Sequence, residues 1–211
     1  MKINEIFKSI QGEGKYTGHP VLFIRTSGCT RQCSFCDTQY HKNGKEMTPK
    51  QIAKAIKKSG MDTVVWTGGE PMMWESEIYE VINELVCDII TMGHIPYHCL
   101  HHLETNGDIL PQSPNYFDYI GFSPKEKKVQ DNVLAFGCQL DAEQTDWDIK
   151  IVTDLKMNKD MIEHATMLMP LSTYTDKDQK IQQDVWEYCV KHNLKYAHRI
   201  HVSVWGQAIG K

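Results

Sequence analysis

Three cysteines fall within eight consecutive positions of "SGCTRQCSFCDT" (27–38): Cys29, Cys33 and Cys36, spaced C-x3-C-x2-C. Thiolate is the protein ligand of soft and borderline metals, and three on one short loop can close around one centre. The residues alone leave three readings open. Cys29, Cys33, Cys36 and His41 would make a closed tetrahedral zinc site. The same three thiols could each hold one iron of a four-iron cluster and leave the fourth iron open to another ligand. The third reading is cysteines that pack without metal. The chain's total of seven is odd and no export signal precedes them, so thiols in a reducing, cytoplasmic setting are expected rather than disulfides.

Other stretches could carry chemistry beside the cysteines. "SIQGEG" (9–14) offers two glycines, exposed backbone groups and the Gln11 amide; it is either a turn or a binding loop. Arg25 lies in an otherwise apolar run, either snorkelling to the surface or presenting a fork that fits a carboxylate. "TGGEP" (67–71), "ETNG" (104–107) and "SPKEKK" (123–128) are polar clusters that follow β-like runs. Alternation in "HCLHHLE" puts His98 and His102 on one strand face and His101 on the other, so they need not share a metal.

These groups need elements to hold them. "PVLFIRTSG" (20–28), "DTVVWTGG" (62–69), "YHCLHHLETNG" (97–107), "FDYIGFS" (117–123), "WDIKIVT" (147–153), "ATMLMPL" (165–171) and "YAHRIHVS" (196–203) have the composition of strands. "TPKQIAKAIKKSG" (48–60) predicts a helix, with Thr48 as cap, Pro49 in the first turn and Gly60 as stop. Residues 76–92 and 177–193 predict two more. Strands alternating with helices imply a parallel α/β sheet, open or a partial barrel, whose ligand site gathers at the carboxyl ends of the strands. The 211 residues, 41% hydrophobic and 24% charged, suit a single domain, 1–211, with the cysteine loop at 28–40. A net charge of −4 and only three arginines, Arg25, Arg31 and Arg199, speak against nucleic acid. "MKINEIFKSI" has no membrane-length apolar run, so no membrane partner is expected.

C-x3-C-x2-C with Phe35 before its third cysteine, followed by "TGGEP" after a β run, is similar to the signature of the radical S-adenosylmethionine superfamily. That resemblance implies a 4Fe–4S cluster on Cys29, Cys33 and Cys36 with the methionine moiety on the open iron. "FKSIQGEGKYTGHPVLFIRTSGCTRQCSFCDT" with "ETNG", "SPK", Lys150, His201, Trp205 and Gly206 further resembles the 7-carboxy-7-deazaguanine synthase family. The likeness implies a modified partial (β/α) barrel, a homodimer, a flavodoxin-type electron donor and carbon–nitrogen lyase chemistry. The substrate it implies is 6-carboxy-5,6,7,8-tetrahydropterin, contracted to 7-carboxy-7-deazaguanine with loss of ammonia. It assigns Ile10, Gln11, Gly12, Arg25, Thr67 and His201 to the substrate. Phe35, Cys36, Asp37, Gly69, Ser123, Pro124 and Lys125 would hold S-adenosylmethionine, and Thr38 a Mg²⁺ ion; Glu104 and Asn106 look like part of the same wall. The chain departs from the pattern at Val202, where many relatives carry lysine after the histidine, and in its ending "WGQAIGK". A glycyl-radical activating enzyme shares the cysteine spacing but has no use for "SIQGEG", Arg25 or "CDT". A zinc-stabilised binding module is the rival from outside enzymology.

Overall fold

The computed structural model describes residues 1–33, 36, 43–92, 99–206 and 208. Its frame is a nine-stranded sheet in the order β3-β1-β2-β4-β5-β6-β7-β8-β9. The strands are β1 (Lys2–Ile10), β2 (Pro20–Thr26), β3 (Lys45–Glu46), β4 (Thr63–Gly68), β5 (Leu100–Thr105), β6 (Tyr119–Phe122), β7 (Asp146–Thr153), β8 (Met167–Pro170) and β9 (Lys195–Tyr196). From β2 to β9 every pairing is parallel, and only β1 and β3 run antiparallel to their neighbours. The two edges, β3 and β9, do not pair, so the α/β barrel is partial, as the family likeness implies.

Central strands are apolar on both faces, which suits a parallel sheet covered by helices. Val64, Val65 and Trp66 of β4 are all buried, as are all four residues of β6. The crossover helices are α1 (Pro49–Ser59), α2 (Glu75–Met92), α3 (Lys127–Ala142) and α4 (Asp178–His192), with a short α5 (Ile200–Trp205) after β9. α1 begins as its sequence predicts. The Thr48 hydroxyl accepts from the Gln51 N–H, the Gln51 side chain accepts from the Thr48 N–H, and Gly60 ends the helix in the left-handed region at φ 66°. Ile52, Ala53 and Ile56 of α1 and Ile78, Val81 and Leu85 of α2 fill the core beneath Trp66.

The sequence reading differs at four elements. β1, the two-residue β3 and α3 have no counterpart in it. The stretch 196–203 is not a strand: pairing stops at Tyr196 and Ile200–Trp205 coil into α5. The reason is tertiary. The Ala197 N–H donates to the Leu168 carbonyl at 2.8 Å, and then the Ile200 N–H donates to the Gly12 carbonyl at 3.0 Å, pulling the chain off the sheet edge and across the β1–β2 loop.

Candidate active site

Strand ends converge on one cavity of ≈ 270 Å³. The loop after β2 brings Cys29, Cys33 and Cys36 to it; the end of β4 brings Thr67, Gly68 and Gly69; β5 brings Glu104, Thr105 and Asn106; the segment after β6 brings Ser123 and Lys125. Gln11, Gly12 and Glu13 enter from the β1–β2 loop, and Arg199 and His201 from the start of α5.

The cysteine end is fitted together through backbone. A Cβ on Gly69 would lie 1.8 Å from the Gly28 carbonyl oxygen, and one on Gly68 2.4 Å from that of Thr26. Both contacts are far inside van der Waals limits, so the paired glycines let β4 close against the cysteine loop. The Glu70 N–H then donates to the Gly28 carbonyl at 2.8 Å. The Glu70 side chain is fully buried and does not line the cavity. It accepts from the Met72 N–H (3.0 Å), the Thr105 hydroxyl (2.7 Å) and the Asn106 N–H (2.8 Å). Burial pushes its carboxyl up to about 7, against the pull of those donors. Glu70 thus pins the end of β4 to the end of β5.

The Cys29 sulfur meets two donors. The Arg31 N–H donates to Cys29 Sγ at 3.4 Å, and Asn106 Nδ2 lies 3.9 Å from the same sulfur. Burial raises the free Cys29 thiol, and the Arg31 N–H opposes it. Among the described residues no three His, Cys, Asp or Glu side chains gather as the ligand set of a single metal ion. A cluster asks for something else, since each of three irons takes its own thiolate. Three thiols opening on one end of a cavity fit that requirement.

Buried charge builds the opposite end. Lys150 Nζ, on a side chain 5% exposed, meets Glu13 Oε2 at 2.7 Å and Glu104 Oε2 at 3.1 Å. Arg199 Nε donates to Glu13 Oε1 at 3.1 Å, and His201 Nε2 lies 4.0 Å from that oxygen. Gln11 Nε2 donates to Glu104 Oε1 at 3.3 Å. Burial alone would raise Glu13, but Lys150, Arg199 and His201 together hold its carboxyl well below the usual range. For Glu104 burial, reinforced by Glu13, outweighs Lys150 and raises the carboxyl. Two carboxylates sharing one ammonium are therefore driven in opposite directions. Space is reserved for this network: a Cβ on Gly12 would lie 2.3 Å from His201 Nδ1, and one on Gly121 2.9 Å from the Glu104 carboxylate.

Most residues singled out from the sequence line this cavity. Ile10, Gln11, Gly12, Arg25, Thr67, His201, Gly69, Ser123 and Lys125 are on its wall, and a Cβ on Gly69 would lie 3.0 Å from Cys29 Cβ. Arg25 is already engaged, its Nε donating to Glu5 Oε2 at 3.1 Å and its guanidinium 5.8 Å from the Phe7 ring. Pro124 is buried and not on the wall. Phe35, Asp37, Thr38, His41 and His98 lie outside the described residues. His101 Nδ1 accepts from Trp66 Nε1 at 3.2 Å, and the His102 ring lies tilted against Tyr16 with centroids 4.3 Å apart, so both pack within the barrel. Glu13 and Arg199 carry no site assignment from the sequence, and Lys150 none beyond its place in the family likeness. Their signals were a carboxylate between two glycines, a charge inside "DIKIV" and one of the chain's few arginines.

The Radical SAM superfamily model matches residues 23–122. A 7-carboxy-7-deazaguanine synthase of Pyrobaculum aerophilum is 29% identical over the whole of this chain and 97% of its own length. The enzyme of the same name from Bacteroides thetaiotaomicron is 44% identical over 59% of this chain and 61% of its own. Among solved structures, QueE from Escherichia coli superposes with a TM-score of 0.66 at 20% identity, covering 93% of this chain and 92% of that one, a likeness of fold.

Proposed function

We propose that this chain, whose residues 23–122 match the Radical SAM superfamily model, acts as a 7-carboxy-7-deazaguanine synthase of that superfamily. It is a lyase that contracts 6-carboxy-5,6,7,8-tetrahydropterin to 7-carboxy-7-deazaguanine and releases ammonia. The observation that carries this reading is the two-ended cavity, with three thiols and a glycine-lined backbone edge at one end and a buried charge network at the other. A glycyl-radical activating enzyme would need an open groove for a polypeptide, whereas this cavity suits a small molecule.

Cys29, Cys33 and Cys36 would hold the 4Fe–4S cluster, which with S-adenosylmethionine supplies one-electron chemistry able to remove a hydrogen atom from carbon. Gly69 and the Ser123–Lys125 segment would seat S-adenosylmethionine. The rest falls to the substrate end. Glu13, kept ionised, is an acceptor for the N–H edge of an amino-pyrimidine ring. Gln11 and the backbone of Ile10 and Gly12 can read the neighbouring ring positions, with Thr67 and His201 flanking them. Arg25, its plane set by Glu5, faces the cavity as partner for the substrate carboxylate. Glu104, Lys150 and Arg199 hold Glu13 and Gln11 in place, so orientation precedes chemistry.

A Mg²⁺ ion on Thr38, a homodimer, a flavodoxin-type donor, a cytoplasmic location and one catalytic domain over 1–211 belong to the same reading. No helix among the described residues is long and apolar enough to cross a membrane. Anaerobic protein with iron and sulfide loaded, given reductant, S-adenosylmethionine and the carboxypterin, is expected to form the deazaguanine. An intact cluster that cleaves S-adenosylmethionine without consuming the pterin would overturn the substrate assignment. A colourless protein carrying one zinc would overturn the cofactor assignment.

A further inference from the structure

We propose that Arg31 is a positioning residue that locks the cysteine loop to the Ser123–Glu126 segment, coupling tenure of the cluster to tenure of S-adenosylmethionine; this rests on the cofactor reading above. Arg31 occupies a spacer position between Cys29 and Cys33, where ligand spacing asks for no particular side chain. Its guanidinium nevertheless makes a full set of contacts. Nε donates to both Asp108 oxygens at 2.9 and 2.7 Å, Nη2 donates to Asp108 Oδ1 at 2.6 Å, and Nη1 donates to Glu126 Oε1 at 2.6 Å. The neighbouring spacer residue goes to the same place, the Thr30 hydroxyl donating to Asp108 Oδ2 at 2.6 Å. Asp108 is itself fixed, because its N–H donates to Asn106 Oδ1 at 2.8 Å while Asn106 Nδ2 donates to Thr30 Oγ1 at 3.0 Å.

Three stretches remote in sequence therefore meet at one side chain: the cysteine loop, the turn after β5, and Glu126, the residue that begins α3. Glu126 directly follows Ser123–Lys125, where Lys125 Nζ donates to Ser123 Oγ at 2.7 Å. The Cys29–Cys33 stretch has no helix or strand of its own to order it, so the clamp bears that entropic cost. The two legs differ in strength. The Arg31–Asp108 pair is bidentate, with side chains only 18% and 15% exposed, whereas Glu126 is 62% exposed and its leg is screened.

The test uses anaerobically loaded full-length protein, comparing the parent with Arg31→Gln, Glu126→Gln and the double variant. Three quantities are read: iron and sulfide per chain, the change in the cluster's EPR spectrum as S-adenosylmethionine is titrated, and hydrogen exchange at 123–126 with and without cluster. Iron content is expected to match the parent in Glu126→Gln, while the Kd for S-adenosylmethionine rises about threefold there and about tenfold in Arg31→Gln. The double variant is expected to be no weaker than Arg31→Gln alone, because both changes cut one link. In the parent, loading the cluster is expected to slow exchange at 123–126; in Arg31→Gln it should not. Parent affinity and parent protection in both single variants would overturn the clamp while leaving the cofactors in place. A parent that takes up no iron, or whose spectrum ignores S-adenosylmethionine, would overturn the cofactor reading and the clamp together. Should Arg31→Gln lose iron, Glu126→Gln decides: weakened binding at full iron supports the clamp and unchanged binding refutes it.

Discussion

The two ends of the cavity are made of different materials. At the cysteine end the walls are backbone, glycines pressed on carbonyls, pinned from behind by the buried Glu70 carboxyl. At the other end they are side chains, two carboxylates and two cations held together out of water by Lys150 and Arg199. Backbone walls tolerate little because any added atom collides. Charged walls tolerate substitution sterically but fail when the charge count changes. Each predicted variant below tests which kind of failure a given end shows.

The largest effect is expected at Lys150. Replacing it by methionine keeps the volume but removes the ammonium bonded to Glu104 and leaves Glu13 with Arg199 and His201. Removing one member of a buried ionic set costs about 3–5 kcal/mol. Urea unfolding of the metal-free chain should show that loss, and pterin binding should vanish with it. A variant as stable as the parent would mean that the substrate end is not held by charge.

Next in size is pH, where Glu70 at one end and Glu13 at the other should move oppositely. Glu70 is raised in the folded chain, to about 7 from an ordinary 4.5, so the native state holds its proton longer than the unfolded one. Its contribution to stability is full below pH 4.5 and is lost as pH rises towards 7, by about 3 kcal/mol. Glu13 is lowered in the folded chain, so its contribution is full above pH 4.5 and is lost as pH falls below that. Denaturation of the parent between pH 5 and 7 should thus show a declining term that is absent in Glu70→Leu, and acid sensitivity that is absent in Glu13→Leu. The same slope in Glu70→Leu as in the parent would remove Glu70 from the account.

Gly69→Ala comes third. The new methyl would overlap the Gly28 carbonyl, so β4 and the cysteine loop must part, an overpacking cost of about 1–3 kcal/mol. The chain should still fold, yet S-adenosylmethionine should no longer alter the cluster spectrum. Pterin binding, measured without cofactor, should stay near the parent value because the charged end is untouched. Loss of both would merge the two ends into one cooperative unit.

The same contrast explains what could be read in advance. The backbone end announces itself in short windows, since cysteines at fixed spacing and paired glycines after a β run have few other uses. α1 was legible for the same reason, with Thr48, Pro49 and Gly60 as local punctuation. The charged end draws on positions 13, 104, 150 and 199, which no window spans, and each residue has an ordinary surface explanation taken singly. α3 carries a helical stripe through Val129, Val133 and Leu140, but Gly137 interrupts it. That glycine is there for packing, since a Cβ would meet the Trp147 ring at 2.7 Å. The stretch 196–203 alternates like a strand, and its hydrogen bond to Gly12, a partner far off in sequence, helps draw it off the sheet edge.

The smallest effect probes how the loop of the charged end is seated. Gln11 and Glu13 belong to the β1–β2 loop, whose neck is closed by Gln11 N–H to the His19 carbonyl and Gly18 N–H to the Gln11 carbonyl, both 2.8 Å. Beyond the neck, Tyr16 drops one pleat below the cavity. Its ring lies 4.3 Å from His102 and 5.0 Å from Tyr119, and its hydroxyl donates to Asp146 Oδ2 at 3.1 Å. His102 shares a strand face with Glu104, so the seat of the loop and the wall it serves are successive layers of one surface. Neither ring nitrogen of His102 has a hydrogen-bond partner among the described residues. Burial lowers the imidazole to about 4, so it is neutral at pH 7 and packs against Tyr16 and Tyr119 as an apolar ring. Tyr16→Leu removes aromatic contacts worth about 1 kcal/mol. If Tyr16 acts only by holding the loop, KM for the pterin should rise about fivefold while kcat and the Kd of S-adenosylmethionine hold, and Tyr16→Phe should recover most of the loss. A fall in kcat at unchanged KM, or a matching shift in cofactor affinity, would show that the loop is set by its contacts within the cavity and not by its seat beneath it.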